Sequence, residues 1–470
     1  MMAITRLLIF AVAVITLTLF MASPSPGSEL DELPRGQVIE KVTCTADSQQ
    51  SYSLFLPSRY VPDKKWPILY AFDPGARGQL PVNLFKEAAE KFGFIVAGSN
   101  NSRNGITVSP IIAALWTDTH ERFSIDERRI YTTGFSGGAR VASSVGFTYP
   151  GIAGVIACSG GFPPRVSAST SVPFVVFATT GTEDFNFPEM QQLKRKLDVA
   201  GVANRLAVFE GGHDWPPAGV CGDAIVWLEI QAMKTGTRAK DEILIDQLFD
   251  AATKDARALD AAKKPYEAYG AYNALLEEFR GLRSVKEFEV SIEQLRARKE
   301  IKEAIKDERA QEENQETLAA KFQTLIGRLQ DSSIYPQAIA EFRFALADLT
   351  KRSEQKQDLG RRQIARRVLQ QLVVQTYQEA SAFYQQKNYA LIPAKLEIAT
   401  ELKPKDAQVF YDLAVAYSRT GNKTKAIAAL SRSIENGFTD LAEIEQNPSF
   451  TSLKTEAAYE KLVAELKKRK

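Results

Sequence analysis

Arg129, Ile130, Tyr131, Thr132, Thr133, Gly134, Phe135, Ser136, Gly137, Gly138: the reading of this run decides the fold. Residues 129–133 have the β-branched and aromatic make-up of a buried strand, and the strand feeds a serine with glycine two positions before and two after it. A serine on a tight strand-to-helix turn must adopt a strained backbone, and small residues at those two positions let the neighbouring chain pass. The turn is a nucleophile elbow, with the hydroxyl at the top of a sheet. A helix starting at Gly137 aims free N–H groups and a positive dipole end at that hydroxyl, ready for a developing oxyanion. Short Gly-x-Ser-x-Gly strings also arise by composition, so the downstream partners must carry the reading.

An activated serine needs a base and a group that orients the base, in the chain order Ser, Asp or Glu, His for such a sheet. The chain has two histidines. His213 sits in a Gly-rich loop (Gly211, Gly212, His213, Asp214, Trp215) after the short apolar stretch 206–209, which reads as the last strand. His120 lies on a polar helix before the elbow strand and reads as a surface residue. Between serine and histidine, the apolar run 172–178 reads as a buried parallel strand, with Thr182, Glu183 and Asp184 at its end. Asp184 is the expected acid. The separations, 184 − 136 = 48 and 213 − 184 = 29 residues, each leave room for β/α units. All three groups then emerge at the carboxyl ends of strands, where open α/β sheets place their sites.

Residues 38–232 resemble a compact α/β-hydrolase of the esterase group that includes polyhydroxybutyrate depolymerases and feruloyl esterases. The likeness rests on 52–57 with 66–70, on 125–131, on the elbow, on 181–184, and on Gly212, His213, Asp214 and Trp215. It implies a mostly parallel sheet, Ser136 as nucleophile, His213 as general base and then acid, and Asp184 as its orienter. Such esterases carry a His-Gly pair after the third strand. This chain instead reads Phe72, Asp73, Pro74, Gly75, Ala76, Arg77, Gly78. Pro74 has no N–H to give, which leaves Gly75 beside Gly137 as the expected oxyanion donors. Asp73 must point away or pair with Arg77 to be tolerated there. Asn101, in the polar run 100–104, is expected at the pocket rim, with Phe185 and Trp215 as an apolar wall for an acyl or aromatic group.

The first 28 residues have the layout of a secretory signal peptide: Arg6, an apolar run over 7–20, then Ala22 and a polar, Pro-broken stretch. Cleavage near Ala22 and retention as a membrane anchor both fit, and both place the protein in an exported setting, periplasmic or secreted. Export permits disulfides, and Cys158 with Cys221 is the candidate pair, while Cys44 is left over. No metal or cofactor is expected, because the scattered Cys and His lack ligand spacing.

Beyond Gly236 the composition turns to Ala, Leu, Glu, Lys and Gln, so 240–350 and 360–470 are expected to be all helical. A 34-residue echo pairs Ala380 with Ala414, Phe383 with Tyr417, Leu396 with Leu430 and Ala399 with Ser433, which resembles tetratricopeptide repeats. Residues 266–279 and 338–345 have related spacing. The charge-dense 286–316 reads as a solvated helix or a coiled-coil hairpin, and 449–466 as a capping helix. With 59 basic against 57 acidic residues and 44% hydrophobic content, no polyanionic partner such as nucleic acid is expected. The chain thus reads as an α/β-hydrolase domain (38–234), a lidless serine ester hydrolase, fused to helical repeats that bind a protein or peptide. A serine peptidase with the same triad, and a catalytically retired domain, stand as alternatives.

Overall fold

The computed structural model describes residues 33–164, 166, 171–331 and 333–468. The leader expected over 1–28 and the basic end at 469–470 lie outside them. Among the described residues no helix is long and apolar enough to cross a membrane, and no group of His, Cys, Asp and Glu could hold a metal ion.

Eight strands form one sheet: β1 Val38–Thr43, β2 Ser51–Phe55, β3 Trp66–Phe72, β4 Ile95–Ser99, β5 Ile125–Phe135, β6 Ile152–Cys158, β7 Val175–Gly181 and β8 Asn204–Phe209. Their spatial order is β1-β2-β4-β3-β5-β6-β7-β8, with β1–β2 and β2–β4 antiparallel and every later pair parallel. This is the strand order of the α/β-hydrolase fold. Every residue of β3 and β4 is buried, as expected for parallel strands covered on both faces. Side-chain alternation splits the core in two. Ile68, Tyr70 and Ile130 pack with helices α2 (Ser109–Arg122), α3 (Gly137–Thr148) and α4 (Phe187–Val199). Leu69, Tyr131 and Phe177 pack with α1 (Gln79–Phe92) and α5 (Ala218–Thr235). The order reverses at β3 and β5, so the crevice at their carboxyl ends, where Asp73 and Ser136 follow, is the fold's natural binding position. The strand expected over 172–178 begins three residues later, because Pro173 has no N–H for the ladder.

Among the described residues every regular element after α5 is a helix, and α5 joins the two regions. It ends at Gly236, whose φ of 76° suits a left-handed cap. Ile230 and Met233 from its far side enter a core with α6 (Glu242–Ala261), α7 (Pro265–Phe279) and α8 (Lys286–Ala297). Glu229, 1% exposed, receives both Arg129 from β5 and Arg238 beyond the cap, so one carboxylate ties the sheet to the start of the helical region. Breaking such a buried pair costs about 3 kcal/mol.

Helices α9 (Lys299–Arg328), α10 (Tyr335–Ser353) and α11 (Leu359–Gln385) form a further layer around Phe322, Phe342, Val368 and Leu372. Then come α12 (Ile392–Leu402), α13 (Ala407–Arg419), α14 (Lys423–Glu435), α15 (Leu441–Gln446) and α16 (Ala457–Lys468). The echo positions Ala380, Ala414, Leu396, Leu430, Ala399 and Tyr417 share one core, and Phe450, Leu453, Tyr459 and Leu466 close it.

The charged stretch 286–316 forms helix α8 and the first half of α9, with most of its charges exposed and its apolar residues turned inward. Phe288, Ile292 and Leu295 are core residues, and on α9 Glu312 pairs with Arg195 of α4 while Glu308 accepts from Gln191 and Tyr266. Glu308 and Glu312 thus link α9 to α4 of the sheet domain. Cys44, Cys158 and Cys221 are all buried free thiols. Burial pushes the Cys158 thiol up to about 12 and the Cys44 thiol up to about 11.

Candidate active site

Ser136 follows β5 directly and takes φ 54°, ψ −117°, a region costly for a residue with a side chain. The surroundings fix that conformation. The Ser136 N–H donates to Cys158 O at 2.8 Å, and three glycines make the crossing feasible. A Cβ at Gly134 would lie 2.1 Å from Gly138 O, one at Gly138 would lie 2.0 Å from Phe72 O, and one at Gly160 would lie 2.4 Å from Ser136 O. All three obstacles are backbone, which cannot rotate away.

His213 comes from the loop after β8 and Asp184 from the loop after β7. Two hydrogen bonds zip these loops together, from Thr182 N to Phe209 O and from Glu183 N to Gly211 O, each 2.8 Å. Gly181 makes room, since a Cβ there would sit 2.4 Å from Gly212 O. The outcome is a relay. His213 Nδ1 lies 2.8 Å from Asp184 Oδ1, and His213 Nε2 lies 2.9 Å from Ser136 Oγ. With Nδ1–H donating to the carboxylate, Nε2 is left as the acceptor for the serine hydroxyl. The imidazole is held between Phe135 and Phe185, with ring centroids 4.7 and 4.2 Å away. Asp184 is fully buried. Its Oδ1 also accepts from Asn186 N at 2.8 Å, while Oδ2 has no hydrogen-bond partner.

The oxyanion side departs from expectation. Gly137 opens α3, so its N–H has no acceptor within the helix. Gly75, the other expected donor, gives its N–H to Asp73 Oδ1 at 2.8 Å and is thereby engaged. Asp73 is fully buried and takes the tolerated arrangement, pairing with Arg77 Nε at 2.9 Å and accepting Trp215 Nε1–H at 2.8 Å. Burial alone would raise the Asp73 carboxyl. The hydrogen bonds from Arg77, Trp215 and Gly75, with the Arg77 charge, outweigh it and hold the group below its ordinary value of 3.8.

A carboxyl depressed in the folded chain contributes stability that is complete above its unfolded value and is lost as pH falls through the lower folded value. Asp73→Asn is expected to cost about 2 kcal/mol at neutral pH. The share from the half-exposed Arg77 is screened by solvent, and most of the cost arises from the weakened Gly75 and Trp215 bonds. Denaturant midpoints of the variant and the wild type should converge below pH 3.8. A gap independent of pH would contradict the assignment.

Trp215 therefore anchors Asp73 as well as packing on Phe135. Phe185, expected as part of an apolar wall, sits against the imidazole. Asn101 is not free for a rim role, because its Oδ1 accepts from Ser51 N and its Nδ2 donates to Gln49 O. Asn104 in the same run is the one beside the elbow, where a Cβ at Gly137 would lie 1.9 Å from Asn104 Oδ1. His120 stacks on Trp116 at 4.3 Å and bonds Trp116 O, away from the relay.

The helical region supplies contacts that the local sequence did not reveal. Arg366 pairs with Glu183 at 2.6 Å, and Arg367 Nε donates to Thr182 O at 2.7 Å. With its amide oriented so that both ends are satisfied, Gln370 donates to Glu183 O at 3.1 Å and accepts from His213 N–H at 3.2 Å. Gln315 of α9 donates to Phe185 O. Fifteen residues beyond Gln370 on α11, Gln385 reaches the other side, where a Cβ at Gly105 would lie 2.7 Å from its Nε2. Positions 367, 370, 374, 378, 381 and 385 share one helical face. Positions 367 and 370 thus meet the loops that carry Asp184 and His213, and 385 lies against Gly105. The one sequence cue was an arginine, Arg367, next to the buried stripe of Ile364, Val368 and Leu372.

No family model matches the chain, and no curated protein matches it. Among solved structures it is similar to a substrate-bound fluorophosphonate-binding serine hydrolase of Staphylococcus aureus, with 13% identity and TM-score 0.35 over 42% of this chain and 99% of that one. It is also similar to a ferulic acid esterase, with 18% identity and TM-score 0.34 over 41% of this chain and 97% of that one. A hyperthermophilic esterase from the archaeon Pyrobaculum calidifontis gives 11% and 0.35 over 43% and 88%.

Proposed function

We propose that this protein is an exported serine hydrolase that cleaves carboxylic esters through Ser136, His213 and Asp184, with a helical-repeat region that binds a protein or peptide. One observation carries the reading: the unbroken relay Ser136 Oγ, His213 Nε2, His213 Nδ1, Asp184 Oδ1, with both links at or below 2.9 Å. His213 takes the hydroxyl proton as Oγ attacks the ester carbonyl. It then returns the proton to the departing alcohol, and water activated by the same imidazole releases the acyl group. Asp184 holds the tautomer and stabilises the imidazolium. The Gly137 N–H stabilises the oxyanion. With Gly75 engaged by Asp73, the second donor in this reading is the Asn104 carboxamide against Gly137.

The test is labelling of full-length protein by a fluorophosphonate probe beside turnover of short-chain nitrophenyl esters and of matched peptide amides. Labelling and ester turnover that both vanish in Ser136→Ala support the reading; turnover of amides in preference to esters moves it to a peptidase. Asn104→Ala is expected to lower kcat about 10- to 100-fold with KM nearly unchanged, as for loss of an oxyanion donor. A kcat equal to wild type would remove Asn104 from the mechanism.

The engaged Gly75 N–H favours one second reading, a hydrolase fold without turnover that serves as an interaction platform. Folded wild-type protein that the probe does not label would establish it. The partner role rests on the 34-residue echo and on a groove of about 260 Å3 lined by Tyr377, Tyr384, Tyr389 and Arg419. The exported setting rests on the apolar run over 7–20.

A further inference from the structure

We infer that Arg367, contributed by α11 of the helical region, is a positioning residue for the site: it holds the 182–184 loop from behind and so sets Asp184 against His213. The inference deepens the proposed function and rests on that reading of the relay.

Arg367 is 3% exposed. Burying a guanidinium is costly unless it is paired and hydrogen-bonded, so its place calls for a physical reason. Three contacts of its own and one of its partner define that place. Nε donates to the Thr182 carbonyl at 2.7 Å, two residues before Asp184, and Nη1 lies 3.4 Å from Gln315 Oε1. The guanidinium carbon stands 3.6 Å from the ring centroid of Phe187, three residues after Asp184. Gln315 in turn donates to Phe185 O, one residue after Asp184. The cation and its partner therefore grip the chain at 182, 185 and 187, on both sides of the acid.

The electrostatics point the same way. Burial pulls the Arg367 guanidinium down to about 10, and Asp184, followed by Glu183 and Glu312, works to raise it again. Asp184 Oδ2 is buried without a hydrogen-bond donor. A buried acceptor without a donor is costly, and the Arg367 guanidinium is the positive charge that interacts with this carboxylate. The other side of the acid is closed by His213, whose backbone N–H is held by Gln370 one helical turn along α11. One helix face thus braces both relay loops, and the relay geometry depends on a segment more than 150 residues beyond His213.

The experiment compares full-length wild type, Arg367→Met, Arg367→Lys and, as a control for loss of an interdomain ion pair away from the loop, Arg195→Met. Each is made in the wild-type and Asp184→Asn backgrounds. Ester kcat and KM, thermal unfolding and amide hydrogen exchange of residues 181–187 are measured. Arg367→Met is expected to lower kcat about 10- to 100-fold with KM within about two-fold, and to speed exchange at 181–187. Arg367→Lys, which keeps the charge, should recover most of the loss, and Arg195→Met should change kcat less than about two-fold. In the Asp184→Asn background the Arg367→Met effect should shrink to about three-fold or less, because the group it acts through is gone.

A folded Arg367→Met protein with wild-type kcat overturns the inference. So does an equal loss in both backgrounds, which would mean general loosening of the domain contact. If wild-type protein turns over no ester, the hydrolase reading fails by itself. The exchange measurement then still decides, since unchanged protection at 181–187 in Arg367→Met would remove the positioning role.

Discussion

Ser136→Ala and His213→Ala are each expected to lower ester kcat by about 10^4-fold or more, and the double variant to lose no more than the worse single one. The reason is mechanical. The two side chains act as one unit through the 2.9 Å bond from Oγ to Nε2, so removing either leaves the other with no proton to take or no base to give it to. Covalent labelling by a fluorophosphonate should disappear outright in Ser136→Ala and slow strongly in His213→Ala. Residual turnover should reflect binding and the oxyanion donors alone. Losses that multiply in the double variant would mean that the residues work independently, and the relay would then not be the catalytic unit.

Gly138→Ala tests the elbow itself. In a helix alanine is favoured over glycine by up to about 1 kcal/mol, so propensity predicts a more stable protein. Sterics predict the reverse, because the new Cβ would lie 2.0 Å from the Phe72 carbonyl in β3. That obstacle is backbone in the sheet centre, so helix α3 must retreat from β3. The expected outcome is a loss of about 3 kcal/mol, at the upper end for overpacking a core, with kcat down about 100-fold as Ser136 shifts from the imidazole. Gly270→Ala, in α7 with nothing within 4 Å of the added Cβ, is the matched control and should be stabilising. Thermal unfolding of the two variants side by side settles the sign. Equal stabilisation in both would show that the close crossing at the elbow is not tight.

The asymmetry between the two regions bears on how activity would be controlled. Contacts from α9 and α11 reach the acid loop, the histidine loop and the Gly105 loop, while α12 to α16 continue from the same α11. Helix α11 thus joins the loops that carry Asp184 and His213 to the helices that follow it.

Unaided, the sequence was enough for the sheet domain and for the three side chains that the fold brings into one hydrogen-bonded chain. Those features are written locally: a strand feeding a glycine-flanked serine, an acid at the end of the next buried run, and one histidine in a Gly-rich loop. Strand periodicity and turn chemistry act over a few residues, so a linear reading recovers Ser136, Asp184 and His213, the all-helical second half and the core positions of the 34-residue echo. The tertiary structure alone decided which neighbours each polar group meets. Gly75 was legible as a candidate donor, yet the Asp73 carboxylate two residues away claims its N–H. Asn101 was legible as a rim residue, yet the edge of β2 claims its amide. Residues 286–316 were legible as helix, but whether Glu308 and Glu312 face water or Arg195 and Tyr266 depends on how α9 lies against α4 and α7. Arg367 shows the limit most clearly. A charge beside an apolar helical stripe has the same sequence whether it snorkels into solvent or is buried behind Asp184, because burial and electrostatic pairing belong to the docked surfaces and not to either segment alone.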